Sequence, residues 1–378
     1  MSNCLDGAAS WDAIEHLRRC RQEMKSLGAP HCYVAWLSAM EAQRLLLLGD
    51  WRACSERLRV ALGSTPGQLG DTTARLTAAQ LACRQGRLAD AEAHLARAEE
   101  LFTNEWGYLA FTFDAVRAEL AVATGATDVA IAAALAGVAK DLRSVQVERL
   151  IPLAASAIAN DAQLARDRGV NPQSALSRLH NLRRDYPNVV ADVGIGPMYQ
   201  SQLRAMQAWY DAEVQRGHDD PAAATAWNRA AQACAEAELA WDEAYAWWRA
   251  AEAMTKDRTA RDAAVTALRR AHELALDLQA MPLLSEVEAL AQSARISLAA
   301  VDENPPIETL GLPGLTPRER EVLTHIVAGR TYGEIARELV VSEKTVSVHV
   351  SHLLHKTGTT NRIALAQLTR RVTSADAD

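Results

Sequence analysis

Between Ser342 and Lys356 the side chains sort by angle around a helix. At about 100° per residue, Val346, Val350, Leu353 and Leu354 fall within roughly 100° of one another and form an apolar stripe. The opposite face centres on Val348, with Lys344, Ser351, His352 and His355 around it and Thr345 and Ser347 at its flanks. An exposed valine can meet the C5-methyl of a thymine in the major groove of DNA, and the hydroxyls and imidazoles beside it can donate to base edges or phosphates. His349, His352 and His355 recur at a spacing that could also share a metal ion. No cysteine or carboxylate cluster accompanies them, so they read as groove or phosphate contacts and no metal site is expected.

Other chemistry lacks its residues. No Ser nucleophile elbow, H-E-x-x-H pair or dinucleotide Gly fingerprint occurs. A phosphate-cradling P-loop requires a Gly-Lys step, and the 378 residues contain none. Neither an enzyme nor a bound cofactor is expected. The cysteines at 4, 20, 32, 54, 83 and 234 form no C-x-x-C, and Cys32, Cys54 and Cys83 read as buried thiols of a reduced compartment.

Several elements must hold the Val348 face in place. Thr316, Pro317 and Glu319 supply a helix N-cap, the favoured first residue and a capping-box acid, and Val322, Leu323, Ile326 and Val327 follow with helical period until Gly329. Thr331 caps a second, short helix with Glu334 as its partner and Ile335, Ala336 and Leu339 inward. A turn at Val340 and Val341 leads to Ser342, which caps the third helix, and a fourth is expected from about Thr360 to Arg371. Short helix, tight turn and longer helix make a helix-turn-helix.

The preceding 299 residues read as amphipathic helices separated by short turns, and Gly plus Pro total only 31 residues. One pattern recurs. Trp51, Cys54, Leu58 and Ala61 match Leu88, Ala91, Leu95 and Ala98 at a spacing of 37, and Trp241, Ala244, Trp248 and Ala251 repeat the template; Ala175, Leu179 and Leu182 follow it more loosely. Alternating large and small residues on one helix face suit stacked helix pairs. A non-repetitive helical bundle stays open as the alternative. Trp247 and Trp248 cannot share a face, which leaves one of them either exposed on a groove or, as is commoner for aromatic residues in such arrays, packed between repeats.

Around residue 300 the helical pattern stops, and acids with Pro305, Pro306, Gly311, Pro313 and Gly314 mark a linker over 300–314. Charge divides there as well. Residues 315–378 hold nine Lys/Arg against seven Asp/Glu, or +2, so within the total of −7 the rest carries −9. No apolar run reaches the roughly 18 residues of a membrane span and no secretion signal opens the chain, so a cytoplasmic protein without membrane contact is expected.

Leu315–Leu323, Gly329–Ala336 and Val341–Val350 together strongly resemble the LuxR-type helix-turn-helix of bacterial transcription regulators. The resemblance implies a DNA-binding domain over 315–374 whose third helix, 342–356, reads the major groove, and a homodimer on two-fold related half-sites. It implies base contacts at Ser347, Val348 and Ser351 and backbone contacts at Lys344, Thr345, His349 and Lys356, with Thr331 and His352 also at the interface. Relatives often carry Lys or Arg at the positions of Ser347, Ser351 and Gly333, so fewer phosphate contacts and a shallower salt dependence are expected. The helical pattern over 1–299 resembles the tetratricopeptide repeat. Residues 271–290 resemble the last repeats of the large ATP-binding LuxR-family regulators similar to the maltose-regulon activator, whose ATPase module has no counterpart motif here. The expected fold is therefore all-α: a helical-repeat domain for an effector or partner protein, then a four-helix DNA-binding domain. The alternative is a protein-interaction scaffold with a vestigial DNA-binding domain.

Overall fold

A computed structural model describes residues 10–63, 67–102, 110–139, 147–189, 197–298, 316–327, 330–339 and 341–357, together with 359 and 365. Every regular element among them is helical. The chain divides into two compact units, Met1–Leu298 and Ala299–Asp378. The expected linker at 300–314 and nearly all of the expected fourth helix lie outside the described residues, as does Gly329.

In the first unit the helices are α1 (Trp11–Ser26), α2 (His31–Leu48), α3 (Trp51–Leu62), α4 (Gly67–Arg84), α5 (Leu88–Leu101), α6 (Ala110–Ala123) and α7 (Thr127–Val138). They continue as α8 (Leu150–Asp167), α9 (Gln173–Asp185), α10 (Pro197–His218), α11 (Ala223–Glu236), α12 (Ala240–Met254), α13 (Arg261–Leu278) and α14 (Met281–Ala294). Local chemistry sets several of the boundaries. The Ser10 hydroxyl accepts the Ala13 amide at 3.1 Å to start α1, and the Asp50 carboxylate accepts the Ala53 amide at 2.9 Å to start α3. Gly49 joins α2 to α3 at φ 89°, and a Cβ there would stand 2.6 Å from that of Ala240, so both the turn and the close approach of α12 require glycine.

Burial follows one template from helix to helix. The buried side chains of α3 are Trp51, Cys54, Leu58 and Ala61; those of α5 are Ala91, Leu95 and Ala98, and those of α9 are Ala175, Leu179 and Leu182. Ala130, Ala134 and Gly137 take the same three positions in α7. An i, i+4, i+7 triad keeps one face inward, and its small members let neighbouring helices approach closely. Helices pack on their neighbours in sequence, while α2, α4, α6, α8 and α10 also pack in a row, each on the next but one. In addition α12 touches α2 and α14 touches α4, so the beginning and end of this unit meet.

One expectation about a single residue changes, and one open alternative closes. Cys54 and Cys83 are buried, but Cys32 is only half-buried, because it lies in the first turn of α2. Neither Trp247 nor Trp248 is exposed: Trp247 packs half-buried on the core and donates its indole N–H to Glu243 at 3.2 Å, while Trp248 is buried at the wall of a cavity.

Candidate nucleic-acid interface

The second unit contains α15 (Pro317–Val327), α16 (Tyr332–Glu338) and α17 (Glu343–Thr357). Each begins with a side chain satisfying backbone N–H groups that a helix start would leave open. Thr316 Oγ1 accepts the Glu319 amide at 3.3 Å, and Glu319 Oε2 accepts the Thr316 amide at 2.8 Å. Thr331 and Glu334 repeat this reciprocal pair at α16, with Glu334 Oε2 accepting the Thr331 amide at 2.7 Å. Ser342 Oγ accepts the Thr345 amide at 3.1 Å and opens α17. The turn between α16 and α17 is pinned twice: Val341 donates its amide to the Ala336 carbonyl at 2.9 Å, and Arg318 of α15 donates to the Leu339 carbonyl at 2.7 Å.

These three helices enclose a small core of Val322, Leu323, Ile326, Ile335, Ala336, Val346, Val350, Leu353 and Leu365, with Leu354 packed at its edge. Val346, Val350 and Leu353 supply α17's share, and their burial fixes its rotation. Lys344 and Ser347 are exposed on other faces, and Thr345 and His349 are half-buried. Val348, Ser351, His352 and His355 belong to α17, but their side chains lie outside the described ones.

Two of the expected contact residues already serve the fold. Thr331 is exposed but engaged in its capping box, where its hydroxyl also donates to Glu334 Oε2 at 2.8 Å. Lys356, from the end of α17, donates to Glu319 Oε2 at 2.7 Å and so clamps α17 to the start of α15. The Lys356 ammonium, followed by the Thr316 amide, holds the Glu319 carboxyl down at about 2, well below the ordinary range. Sequence reading missed this pair, whose members lie 37 residues apart. Gly333 has a neighbour too, since a Cβ there would stand 2.9 Å from Glu343 Oε1.

The luxR-family model of bacterial regulatory proteins matches residues 313–369. The chain is 50% identical to the spore germination protein GerE of Bacillus subtilis over 50 residues, which cover 13% of this chain and 68% of that protein. Through this segment the chain belongs to the luxR family. The luxR-type segment is also 50% identical over 52 residues to the uncharacterized transcriptional regulatory protein YhcZ of Bacillus subtilis, and 46% identical over 52 residues to the nitrate/nitrite response regulator protein NarL of Escherichia coli. Each match covers 14% of this chain and 24% of the relative, so the chain spans about a quarter of the length of these two proteins. No solved structure matches it.

Proposed function

We propose that the chain is a sequence-specific, DNA-binding transcription regulator that lays α17 in the major groove. The observation that carries this reading is the rotation of α17: Val346, Val350 and Leu353 are buried, while Lys344 and Ser347 are exposed on its other faces. The luxR-type segment and relatives named as transcriptional regulators support it. On this reading Ser347, Val348 and Ser351 meet base edges. Lys344, Thr345, His349 and His352 hold the phosphates, joined by Thr331 and by whatever donor capacity Lys356 keeps beyond Glu319. Two copies bind as a homodimer on two-fold related half-sites.

The first unit is proposed to be a tetratricopeptide-like repeat array that receives an effector or partner, as in the ATP-binding regulators similar to the maltose-regulon activator. The recurring buried triads support that arrangement. The domain limits 1–299, 300–314 and 315–374 belong to the same proposal, as do the absence of a catalytic step and a place in the cytoplasm. Among the described residues no helix is long and apolar enough to cross a membrane.

The test is selection of bound sites from a random duplex pool by the full chain and by Val348→Glu, with circular dichroism as the folding control. The full chain is expected to enrich a two-fold related motif, and Val348→Glu, which places a carboxylate against base edges, to lose the enrichment with helix content intact. Enrichment that survives the substitution would put the reading face elsewhere.

A further inference from the structure

The first unit has an open cavity of about 370 Å³ between α4, α5, α6, α8, α10, α12 and α14, within the range of small-molecule sites. Leu153, Trp209, Trp241 and Trp248 give it a mainly apolar wall. Its polar groups are for the most part matched to one another. Arg249 donates to the Tyr245 hydroxyl at 3.2 Å and to Glu252 at 2.9 Å, and it lies 3.8 Å over the Trp248 ring. Asn160 Oδ1 accepts from Arg216 at 2.8 Å. Tyr245 donates to Glu213, which also receives Arg216.

Arg84 is the exception. Its Nε donates to Glu119 Oε1 at 2.6 Å and its guanidinium rests 4.9 Å from the Trp241 ring centroid, which fixes the plane of the group. Both Nη atoms are buried without a partner among the described residues, although the side chain is only 1% exposed and lines the cavity. A buried donor left unmatched costs about 1–3 kcal/mol, and more when charged. Two adjacent donors in a fixed plane suit a group offering two acceptor oxygens in the same plane, which is the geometry of a carboxylate.

We infer that this cavity binds a small carboxylic acid with an apolar body of one or two rings, its carboxylate on the Arg84 fork and its body against the tryptophan wall. This inference rests on the reading of the first unit as an effector domain and names the site and the class of effector. It explains why an unmatched polar fork persists in a recess whose other polar groups are for the most part paired.

The test is calorimetric titration of the full chain, without DNA, with 2-naphthoate and with 2-naphthalenemethanol, which shares the body but lacks the carboxylate. Arg84→Lys is the informative variant, because it keeps a cation for Glu119 while removing the Nη pair. One saturable 2-naphthoate site per chain is expected, with the alcohol at least about tenfold weaker. In Arg84→Lys, naphthoate affinity should fall to that of the alcohol while the alcohol is unaffected and the melting temperature is kept. Absence of saturable binding, equal affinity for acid and alcohol, or an unchanged Arg84→Lys would each overturn the proposal. If Arg84→Lys fails to fold, Leu153→Trp, which fills the recess, replaces it: loss of naphthoate binding supports the site, and retained binding removes it. Because DNA is absent from every arm, failure here leaves the DNA-binding reading standing, and failure of site selection leaves this one.

Discussion

Lys344 and Lys356 lie on the same helix and do different work. Lys344 is exposed near the start of α17 with no partner among the described residues, whereas Lys356 is bonded to Glu319 at 2.7 Å. Lys344→Ala is therefore expected to weaken binding to selected and random duplex alike, by several-fold, and to reduce the salt slope by about one, because phosphate contacts position a protein without reading sequence. Gel-shift titrations at several salt concentrations check this, and a loss confined to the selected site would make Lys344 a base reader. Glu319 yields a pH prediction. Its folded-state value of about 2 lies below the roughly 4.3 of an unfolded Glu, so the stabilisation is complete above about pH 5.5 and is lost as pH falls through the folded value. Acid melts of the full chain should show this loss, and Glu319→Gln should flatten it; an unchanged profile would mean that the clamp does not stabilise the unit. The capping boxes at Thr316 and Thr331 were legible in the sequence because their partners are three residues apart. The Glu319–Lys356 clamp, and Arg149 held by Asp242 at 2.5 Å, were not, because chain folding alone brings such distant residues together.

Helices were the most legible elements wherever one face carries the pattern. The period that singles out Val346, Val350, Leu353 and Leu354 is the one that the core of the second unit selects, since only one rotation of α17 buries the first three and packs Leu354 at the edge. The same holds for the triads of α3, α5 and α9. Less legible was α2, buried over most of its length, where no polar face marks which side meets α4 and which meets α12. The cavity escaped sequence reading for a related reason: its wall takes one to four residues from each of seven helices, and no local spacing joins Arg84 to Trp241. In α16, Gly333 read as a lost phosphate contact, and glycine also costs about 1 kcal/mol in helix propensity. The structure adds that Glu343 Oε1 occupies the space beside it, at the end of an exposed and flexible side chain. Gly333→Ala is therefore expected to stabilise the unit by about 0.5–1 kcal/mol, with Glu343 swinging aside. A melting curve decides it, and a lower midpoint would show that Glu343 is held where it stands.

Across the whole molecule, charge divides near the start of the luxR-type segment. The segment from 315 onward carries +2 and the remainder −9, so most of the chain repels a duplex while a short segment attracts it. Such a balance disfavours loose binding to any DNA more than it disfavours a docked α17, and so places the weight of recognition on base contacts. The division in charge could be read from sequence, as could the luxR-type segment, whose motifs are local. The cavity of the first unit could not, because it depends on how distant helices meet. The central claim is that α17 reads sequence from the face opposite its buried valines. It is tested most directly by titrating the full chain, across a range of salt, against the selected duplex and a random one of equal length. The account predicts that affinity for both falls with salt and that the selected duplex stays at least about a thousandfold tighter, the lower bound for specific sites. Equal affinity for the two at every salt concentration, or no binding to either at low ionic strength, would contradict it.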